Sequence, residues 1–529
     1  MSAALILVVL LCAVTGLSLL AKRINVPYPV AFVIGGVLLA FVPGLPPIGL
    51  DPQYVFLLIL PPLLFGAGWT TDWLEFKRNR RPIALLAVGL VVFTTVIVAV
   101  VAHALMPHLS WPLAFTLGAV VAPPDAIAAQ AILERLAVPR RIAAILSGES
   151  LVNDASALVF YRFAIAAVLS GVFSLTHASL AFVTVSAGGI AVGIVVALCF
   201  ELFFRGLARW RLSDPTIVNV LTLIAPYAAY LPAEALGVSG VLSVVTAGIY
   251  LGRRSASIQD SEARLVGRSF WSVFTYLLNG FVFVVIGLQL PQIVHGLSSP
   301  WRAAFDALVV SLVAIVVRFA WVFPGTYLPR MMSRRVRERE PKPTWRNAIV
   351  ISWAGMRGIV SLAAALSIPF VDARGMPLPA RNEIVFIAFG VIFATLVVQG
   401  CTLAPLINWL GVTETSNRER QETTVRIAAL HAGVERLRAL EPSFSTPAQW
   451  EAAGRLLTEY DRRIEHLTGH LAADPDGDSP QNAIDHQLSK EALAAERSRI
   501  FALRGADEIP DDIFRNIEYD LDLAQLRLA

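Results

Sequence analysis

The sequence has few charged residues for its length. Only 16% of its 529 residues are Asp, Glu, Lys or Arg, and 56% are hydrophobic, whereas charged residues make up about a quarter of ordinary soluble domains. This composition excludes an ordinary soluble enzyme and indicates a membrane protein. Cysteine is also scarce: Cys12, Cys199 and Cys401 lie in apolar runs, without the spacing of a metal site or a disulfide framework. We expect no cofactor.

The charges are divided unevenly along the chain. Residues 1–411 carry 29 basic and 17 acidic side chains, whereas residues 412–529 carry 14 and 22. The apolar runs end near Leu410, so we predict a transmembrane domain over residues 1–411 and a helical tail over residues 412–529. The basic excess belongs to membrane loops, and nucleic acid is therefore not indicated as a partner. The tail is either a regulatory or dimer-stabilising domain or a solvated extension without effect.

Thirteen apolar segments follow one another in the first region, most of them close to the length of about 20 residues that a helix needs to span a bilayer. They predict an all-α polytopic membrane protein with thirteen transmembrane helices. Alternate loops carry 23 basic residues and the other loops only three. By the positive-inside rule, the N-terminus lies outside and the tail is cytoplasmic. The segments lie near residues 3–20, 28–43, 53–69, 82–106, 111–133, 142–168, 178–204, 215–231, 235–251, 270–290, 303–326, 347–370 and 383–410.

Several charged residues lie inside these apolar segments, where an ionised side chain is costly unless it pairs, lines a wet cavity or has a function. We expect Glu149 to pair with Arg318, because an unpaired buried charge is strongly destabilising, and Arg162 to extend towards the outer interface. The alternative is that these charges form structural ion pairs only. The set comprises Asp125, Glu149, Asp154, Arg162, Arg318 and Arg357.

Two segments contain residues that interrupt a helix. Pro123-Pro124 precede Asp125 in the fifth segment, and Gly355 and Gly358 flank Arg357 in the twelfth. Segments seven places apart run in opposite directions, which predicts inverted repeats (spans 1–6 and 8–13) whose broken helices cross at one site. A carboxylate suits the partly positive start of a half-helix, and a guanidinium suits a partly negative end. The alternatives are simple capping by the acid and close helix packing at the glycines.

The sixth segment carries four polar residues, Glu149, Ser150, Asn153 and Asp154. Helical spacing puts Glu149 with Asn153 on one stripe and Ser150 with Asp154 on another. The carboxylate and hydroxyl of the second stripe are hard oxygen ligands for a small cation, and the carboxylate can hold a proton instead. Carbonyl groups freed at residues 121–123 are available to complete the shell.

These motifs together resemble those of the monovalent cation/proton antiporters of the sodium/proton exchanger type, in particular their bacterial branch. The similarity extends over the whole chain. The segments that carry it are Leu60–Phe65, Gly118–Asp125, Gly148–Asp154, Asn279–Leu290 and Trp353–Ser361.

The resemblance implies a homodimer in the lipid bilayer of the bacterial inner membrane, with a mobile core domain that moves against a dimerisation domain. It implies exchange of Na+ or Li+ for H+, with K+/H+ exchange as the alternative. It also implies that Asp154 carries the cation or the proton in a site with Ser150, Asp125 and Asn153. Glu149 would pair with Arg318, while Asp125 and Arg357 would neutralise the crossed helix breaks.

Three residues depart from patterns found in that family. Pro124 stands where many relatives have threonine, so one hydroxyl ligand is missing, and Gly66 stands where some relatives have an acid. Asn153 replaces the first of two adjacent aspartates in the branch that exchanges two protons per cation. Because Asn cannot titrate, we expect electroneutral 1:1 exchange.

Two other classes of function fit the residues poorly. A cation channel needs no titratable carboxylate facing crossed broken helices. An intramembrane aspartyl protease would use two carboxylates such as Asp125 and Asp154, but the Gly-x-Gly-Asp type of motif is absent from the sequence. Transport therefore remains the leading hypothesis.

Overall fold

The computed structural model describes most of the chain. The described residues are 3–43, 52–133, 136, 138–171, 175–210, 212, 214–297, 299–339, 343–371, 375–378, 380–412, 416–472 and 480–505, with 517–518, 521–522 and 524–525. Their regular structure is helical apart from one isolated bridge between Val371 and Pro377. The chain divides into two compact units, Met1–Thr413 and Glu414–Ala529.

Two of the predicted apolar segments in the first unit are each divided into two shorter helices. The unit consists mainly of apolar helices. In chain order they are α1 (Ala3–Arg23), α2 (Tyr28–Leu39), α3 (Pro52–Trp69), α4 (Arg80–Leu105), α5 (Trp111–Val121), α6 (Ala126–Leu133), α7 (Arg140–Ser170), α8 (Leu175–Arg209), α9 (Pro215–Ala235), α10 (Gly240–Ile258), α11 (Ser261–Leu288), α12 (Pro300–Met332), α13 (Trp345–Trp353), α14 (Ile359–Leu366) and α15 (Arg381–Leu410).

Each of the thirteen predicted apolar segments contains a helix, and the fifth and twelfth each contain two, α5–α6 and α13–α14. Among the described residues, eight helices are long and apolar enough to cross a membrane by themselves. The prediction of an all-α polytopic membrane protein is confirmed. The number thirteen stays a prediction.

Capping residues decide several helix ends that apolar periodicity placed only roughly. The ninth segment was expected from residue 235, but α10 begins at Gly240 because Gly237 adopts a positive φ of 70° and the Ser239 hydroxyl accepts from the Leu242 N–H. Such a left-handed glycine ends one helix, and a serine N-cap starts the next. In the same way, Gly171 ends α7 at a φ of 73°.

The helix α7 lies against several apolar clusters at once. Ile142 and Ile145 belong to one cluster, Leu151 and Ala155 to a second, and Tyr161 to a third. A helix that is enclosed on several faces exposes little of its middle to water or lipid. Charged residues in the middle of α7 must therefore be satisfied by protein, water or a bound ion.

The second unit contains the helices α16 (Ser416–Leu440), α17 (Pro447–Ala472) and α18 (Pro480–Gly505). The first two pack together, with Gly433 against the ring of Tyr460. Their ion pairs, such as Arg455 with Glu451 at 2.7 Å, are exposed. Exposed pairs contribute at most about 1 kcal/mol each, so burial of the few apolar residues does more to hold these helices together.

Candidate functional site

The two helix interruptions meet in the interior of the first unit. The Asp125 N–H donates a hydrogen bond to the Met356 carbonyl, with an N···O distance of 2.6 Å. Pro123 and Pro124 have no N–H and so cannot continue the hydrogen bonding of α5. The stretch between α5 and α6 is therefore joined directly to the stretch between α13 and α14.

Arg357 lies in the second interruption, and its guanidinium is fully buried. Its Nε donates to the Val121 carbonyl at 3.2 Å, and one terminal nitrogen donates to the Gly355 carbonyl. The other reaches the Ala314 carbonyl at 3.4 Å, while the Arg357 backbone N–H donates to Thr395 Oγ1 at 3.1 Å. Val121 ends α5 and Gly355 follows α13, so the positive charge lies where helix carbonyl groups lack partners.

The Asp125 carboxylate lies at the start of the opposite half-helix. It approaches Gly358, the residue that precedes α14, so closely that any Cβ at position 358 would overlap with the carboxylate. Glycine is therefore required here by the contact itself. Each charged residue thus faces an end of the other broken helix: the acid faces the partly positive start of α14, and Arg357 faces the partly negative end of α5.

Glu149 and Arg318 form a bidentate ion pair between α7 and α12. The two N···O distances are 2.5 and 2.8 Å, and each side chain is only 1% exposed. Arg318 Nε also donates to the Ile351 carbonyl at 3.1 Å. The geometry fits a charge pair that is satisfied within the protein, because both carboxylate oxygens and the three donor nitrogens have partners.

Asp154 is the other acid of α7 and is buried, at 6% exposure. Within the described part of the chain, its carboxylate has neither a hydrogen-bond donor nor a basic partner, and the charged group that acts on it is Asp125. Ser150 lies one turn earlier and is half-buried. A carboxylate in this setting is stabilised by taking up a proton or a cation.

Asn153 connects α7 to the first interruption. Its Nδ2 donates to the Pro124 carbonyl at 2.9 Å, whereas its Oδ1 has no partner among the described residues. The Asn153 amide nitrogen therefore holds the backbone at Pro124, the residue before Asp125, in place. The Asn153 Oδ1 remains available as an acceptor. Because residue 153 is an asparagine, this position provides no titratable group.

Two charged clusters were not predicted from the sequence. Arg162 does not extend alone towards the interface but pairs with Glu234, where a single terminal nitrogen donates to both carboxylate oxygens, at 2.8 and 3.0 Å. Glu201 of α8 is buried and accepts from the Tyr250 hydroxyl at 2.6 Å and from Arg205 at 2.5 Å. Only the four-residue spacing of Glu201 and Arg205 was a signal in the sequence.

A cavity of about 620 Å³ lies between α3, α6, α9, α10 and α11. Gly66 lines it beside Trp271 and Thr275, and its polar lining includes Gln130 and Asn279. Because residue 66 has no side chain, no acid occupies this part of the wall. The cavity reaches the half-helix α6, which continues from the first interruption.

Known proteins similar to this chain belong to one family. The family model for the transmembrane sodium/hydrogen exchanger matches residues 6–409. The chain is 32% identical to an uncharacterised Na(+)/H(+) exchanger of Escherichia coli strain K12, over 99% of this chain and 98% of that protein. It is 36% identical to a sodium, potassium, lithium and rubidium/H(+) antiporter of Bacillus pumilus, over 72% of this chain and 58% of that protein.

Among solved structures, the sodium proton antiporter of Methanocaldococcus jannaschii is similar in fold. The TM-score is 0.60 at 18% identity, and the match covers 78% of this chain and 99% of that one. At this identity the likeness establishes the fold alone.

Proposed function

The chain belongs to the sodium/hydrogen exchanger family, and on that premise we propose that it is a secondary active antiporter that exchanges Na+ for H+ across the bacterial plasma membrane. The observation that carries the proposal is Asp154, a buried carboxylate beside the crossing of two broken helices that has no fixed partner among the described residues. Crossed half-helices at the centre of a transporter typically form its ion site.

Exchange follows from competition for one carboxylate. Asp154 is neutral with either a proton or a cation bound, and the two exclude each other. Moving the bare carboxylate across a low-dielectric barrier would be expensive, so only the two neutral forms change access from one side to the other. The ion gradients then decide the direction, and an inward proton gradient extrudes sodium.

The neighbouring residues have supporting roles in this proposal. Ser150 and Asn153 add oxygen atoms to the site, and Asp125 contributes charge there while it neutralises the start of α14. Arg357 neutralises the ends of α5 and α13. Glu149 is held by Arg318, which leaves Asp154 as the one carboxylate free to exchange, and the stoichiometry is one proton per cation.

Sodium is the cation best supported by the relatives. The Escherichia coli and Bacillus pumilus relatives are both named for Na+, and so is an antiporter of Aphanothece halophytica that is 31% identical over 79% of this chain. The Bacillus pumilus name adds K+, Li+ and Rb+, which favours a broad cation range as the second candidate. Exclusive K+/H+ exchange has no such support.

The finer architecture belongs to the same proposal. The thirteen spans form inverted repeats, with the N-terminus outside and the tail in the cytoplasm, and the protein is a homodimer. The tail over residues 412–529 regulates transport or stabilises the dimer. Protease protection of the tail in sealed right-side-out vesicles, and mass measurement of the purified protein, test these points.

The central test uses purified protein in liposomes with an imposed pH gradient and an internal pH-sensitive dye. Addition of Na+, Li+, K+ or Rb+ in turn should release protons in a saturable manner, with Na+ effective. Liposomes without protein serve as the control. Absence of cation-dependent proton movement with every cation would overturn the proposal.

A further inference from the structure

Ser361 carries a buried hydroxyl that no described group satisfies. The residue is 2% exposed, and its Oγ has no hydrogen-bond partner within the described part of the chain. Three other buried serines bond to the carbonyl four residues earlier: Ser156 to Val152, Ser311 to Ala307, and Ser352 to Ala348 at 2.7 Å. Ser361 is the third residue of α14, and the residue four places earlier, Arg357, lies in the interruption. Its hydroxyl has no helix carbonyl to use.

The hydroxyl lies near the crossing of the broken helices. Ser361 comes three residues after Gly358, against which the Asp125 carboxylate lies. One turn later, Ala364 and Ala365 belong to the apolar cluster that includes Val121, the last residue of α5, and α14 packs on α5. This stripe of α14 therefore faces the end of α5, where backbone carbonyl groups are free of helix partners.

Two contacts show that α14 and α7 run in the same direction. At the start of α14, Asn153 bonds to Pro124, next to the acid that approaches Gly358. At its end, the Tyr161 and Ser367 hydroxyl groups are 2.8 Å apart.

The depth of the Asp154 carboxylate along α7 can therefore be compared with that of the Ser361 hydroxyl along α14. Asp154 lies seven residues before Tyr161, and Ser361 lies six before Ser367. At about 1.5 Å per residue, Asp154 lies roughly 10.5 Å and Ser361 roughly 9 Å below the same hydrogen bond. The carboxylate and the unsatisfied hydroxyl are thus at nearly the same depth.

We propose that Ser361 Oγ is a ligand of the transported cation, an inference that rests on the function proposed above. It supplies from α14 a hydroxyl oxygen that Pro124 cannot supply from the first interruption. A hydroxyl is a hard neutral ligand that suits Li+ and Na+. It completes the cation shell around the Asp154 carboxylate and takes no part in holding the proton.

The test compares Ser361→Ala with Ser352→Ala in the liposome exchange assay. Ser352 lies in the first half of the same broken helix, is buried, and has a satisfied hydroxyl, so its replacement controls for loss of a buried oxygen. Ser361→Ala should raise the apparent KM for Na+ and Li+ about tenfold, raise that for Rb+ less, and leave the maximal rate at saturating cation largely unchanged. Ser361→Thr should keep the low KM.

Equal KM values for Ser361→Ala, Ser352→Ala and the unmodified protein with every cation would overturn the ligand role while leaving antiport intact. If Ser361→Ala does not insert, Ser361→Cys replaces it, because the thiol keeps the volume but is a poor ligand for Na+. A KM for Na+ unchanged by Ser361→Cys would likewise overturn the inference. Failure of the unmodified protein to exchange any cation would instead overturn the proposed function.

Discussion

The helix α7 contributes one residue to each of two arginine–glutamate pairs that lie in different surroundings. Near the crossing, Glu149 binds Arg318 through two hydrogen bonds, and both side chains are buried. Towards the C-terminal end of the helix, Arg162 binds Glu234, also through two hydrogen bonds, but these side chains are 49% and 30% exposed. Each pair has two hydrogen bonds, so the number of hydrogen bonds alone does not distinguish the two pairs.

The two pairs differ in how far their side chains are buried. Water can replace a lost partner at the exposed pair, but not at the buried one, where the remaining charge would stay in a low-dielectric interior. Asp154 lies between the two pairs and has no such partner within the described residues. The partners of Glu149 and Arg162 thus explain why Asp154, the second acid of α7, is available to a mobile ion.

The largest effect is expected from the acid that lies between the pairs. Asp154→Asn should abolish cation-dependent proton movement in liposomes, because an amide neither releases a proton nor offers a negative ligand. Asp260→Asn is a suitable control, since this exposed residue precedes α11 without a capping hydrogen bond from its side chain. If Asp154→Asn inserts normally and keeps more than a small fraction of the exchange rate, Asp154 is not the ion-carrying group.

Next in size is the effect of breaking the buried pair. Glu149→Gln and Arg318→Gln should each lower the free energy of unfolding by about 3 to 5 kcal/mol, because each leaves one buried charge unpaired. The double variant should recover part of that loss. Denaturant unfolding in detergent of the unmodified protein, the two single variants and the double variant completes a double-mutant cycle. Strictly additive losses would mean that the two side chains do not stabilise each other.

A much smaller effect is expected at the exposed pair. Glu234→Gln and Arg162→Gln should each change the free energy of unfolding by at most about 1 kcal/mol, and added salt should reduce the difference further. The same denaturant measurement applies. A loss at Glu234 as large as that at Glu149 would show that burial does not account for the difference between the two ends of α7.

No effect at all is expected from membrane potential on the rate of exchange. With Glu149 held by Arg318 and Asn153 unable to titrate, one proton should exchange for one monovalent cation, and no net charge should move. In liposomes at saturating Na+, a potassium-diffusion potential of either sign should leave the rate unchanged. A potential-dependent rate would mean that a second carboxylate carries a proton, and Asp125 would be the first to replace.

Parts of the fold and of the candidate site could be predicted because they depend on local chemistry. Adjacent prolines at 123 and 124 stop a helix wherever they occur, and the scarcity of charge makes each intramembrane acid conspicuous. Helix boundaries were less predictable where apolar residues continue through a turn. Ser239 and Gly237 separate α9 from α10 although the hydropathy barely changes.

Some contacts between distant residues left no signal in the sequence, unlike the pairing of Glu149 with Arg318, which was expected from the cost of an unpaired buried charge. Glu234 lies at the boundary of two predicted segments, and nothing in its neighbourhood along the chain marks it as the partner of Arg162, 72 residues away. The sequence contains many serines in apolar segments, and Ser361 looks like any of them. Its hydroxyl is distinctive only because the residue four places earlier lies outside the helix.

By itself the sequence determined the class of the protein, the two interruptions and the small set of charges that needs an explanation, because composition and helix-breaking residues act locally. Only the tertiary structure decided the partners that the sequence left open, such as Glu234 for Arg162, and it leaves Asp154 without a fixed partner within the described residues. That choice depends on how the helices pack: the crossing brings Asp125 to Gly358, Arg357 to Val121 and Arg318 to Glu149, and it brings no counter-charge to Asp154 among the residues described. A charge in a membrane interior is stable only with such a partner. Helix packing, more than residue type, therefore determines which acid binds the mobile ion.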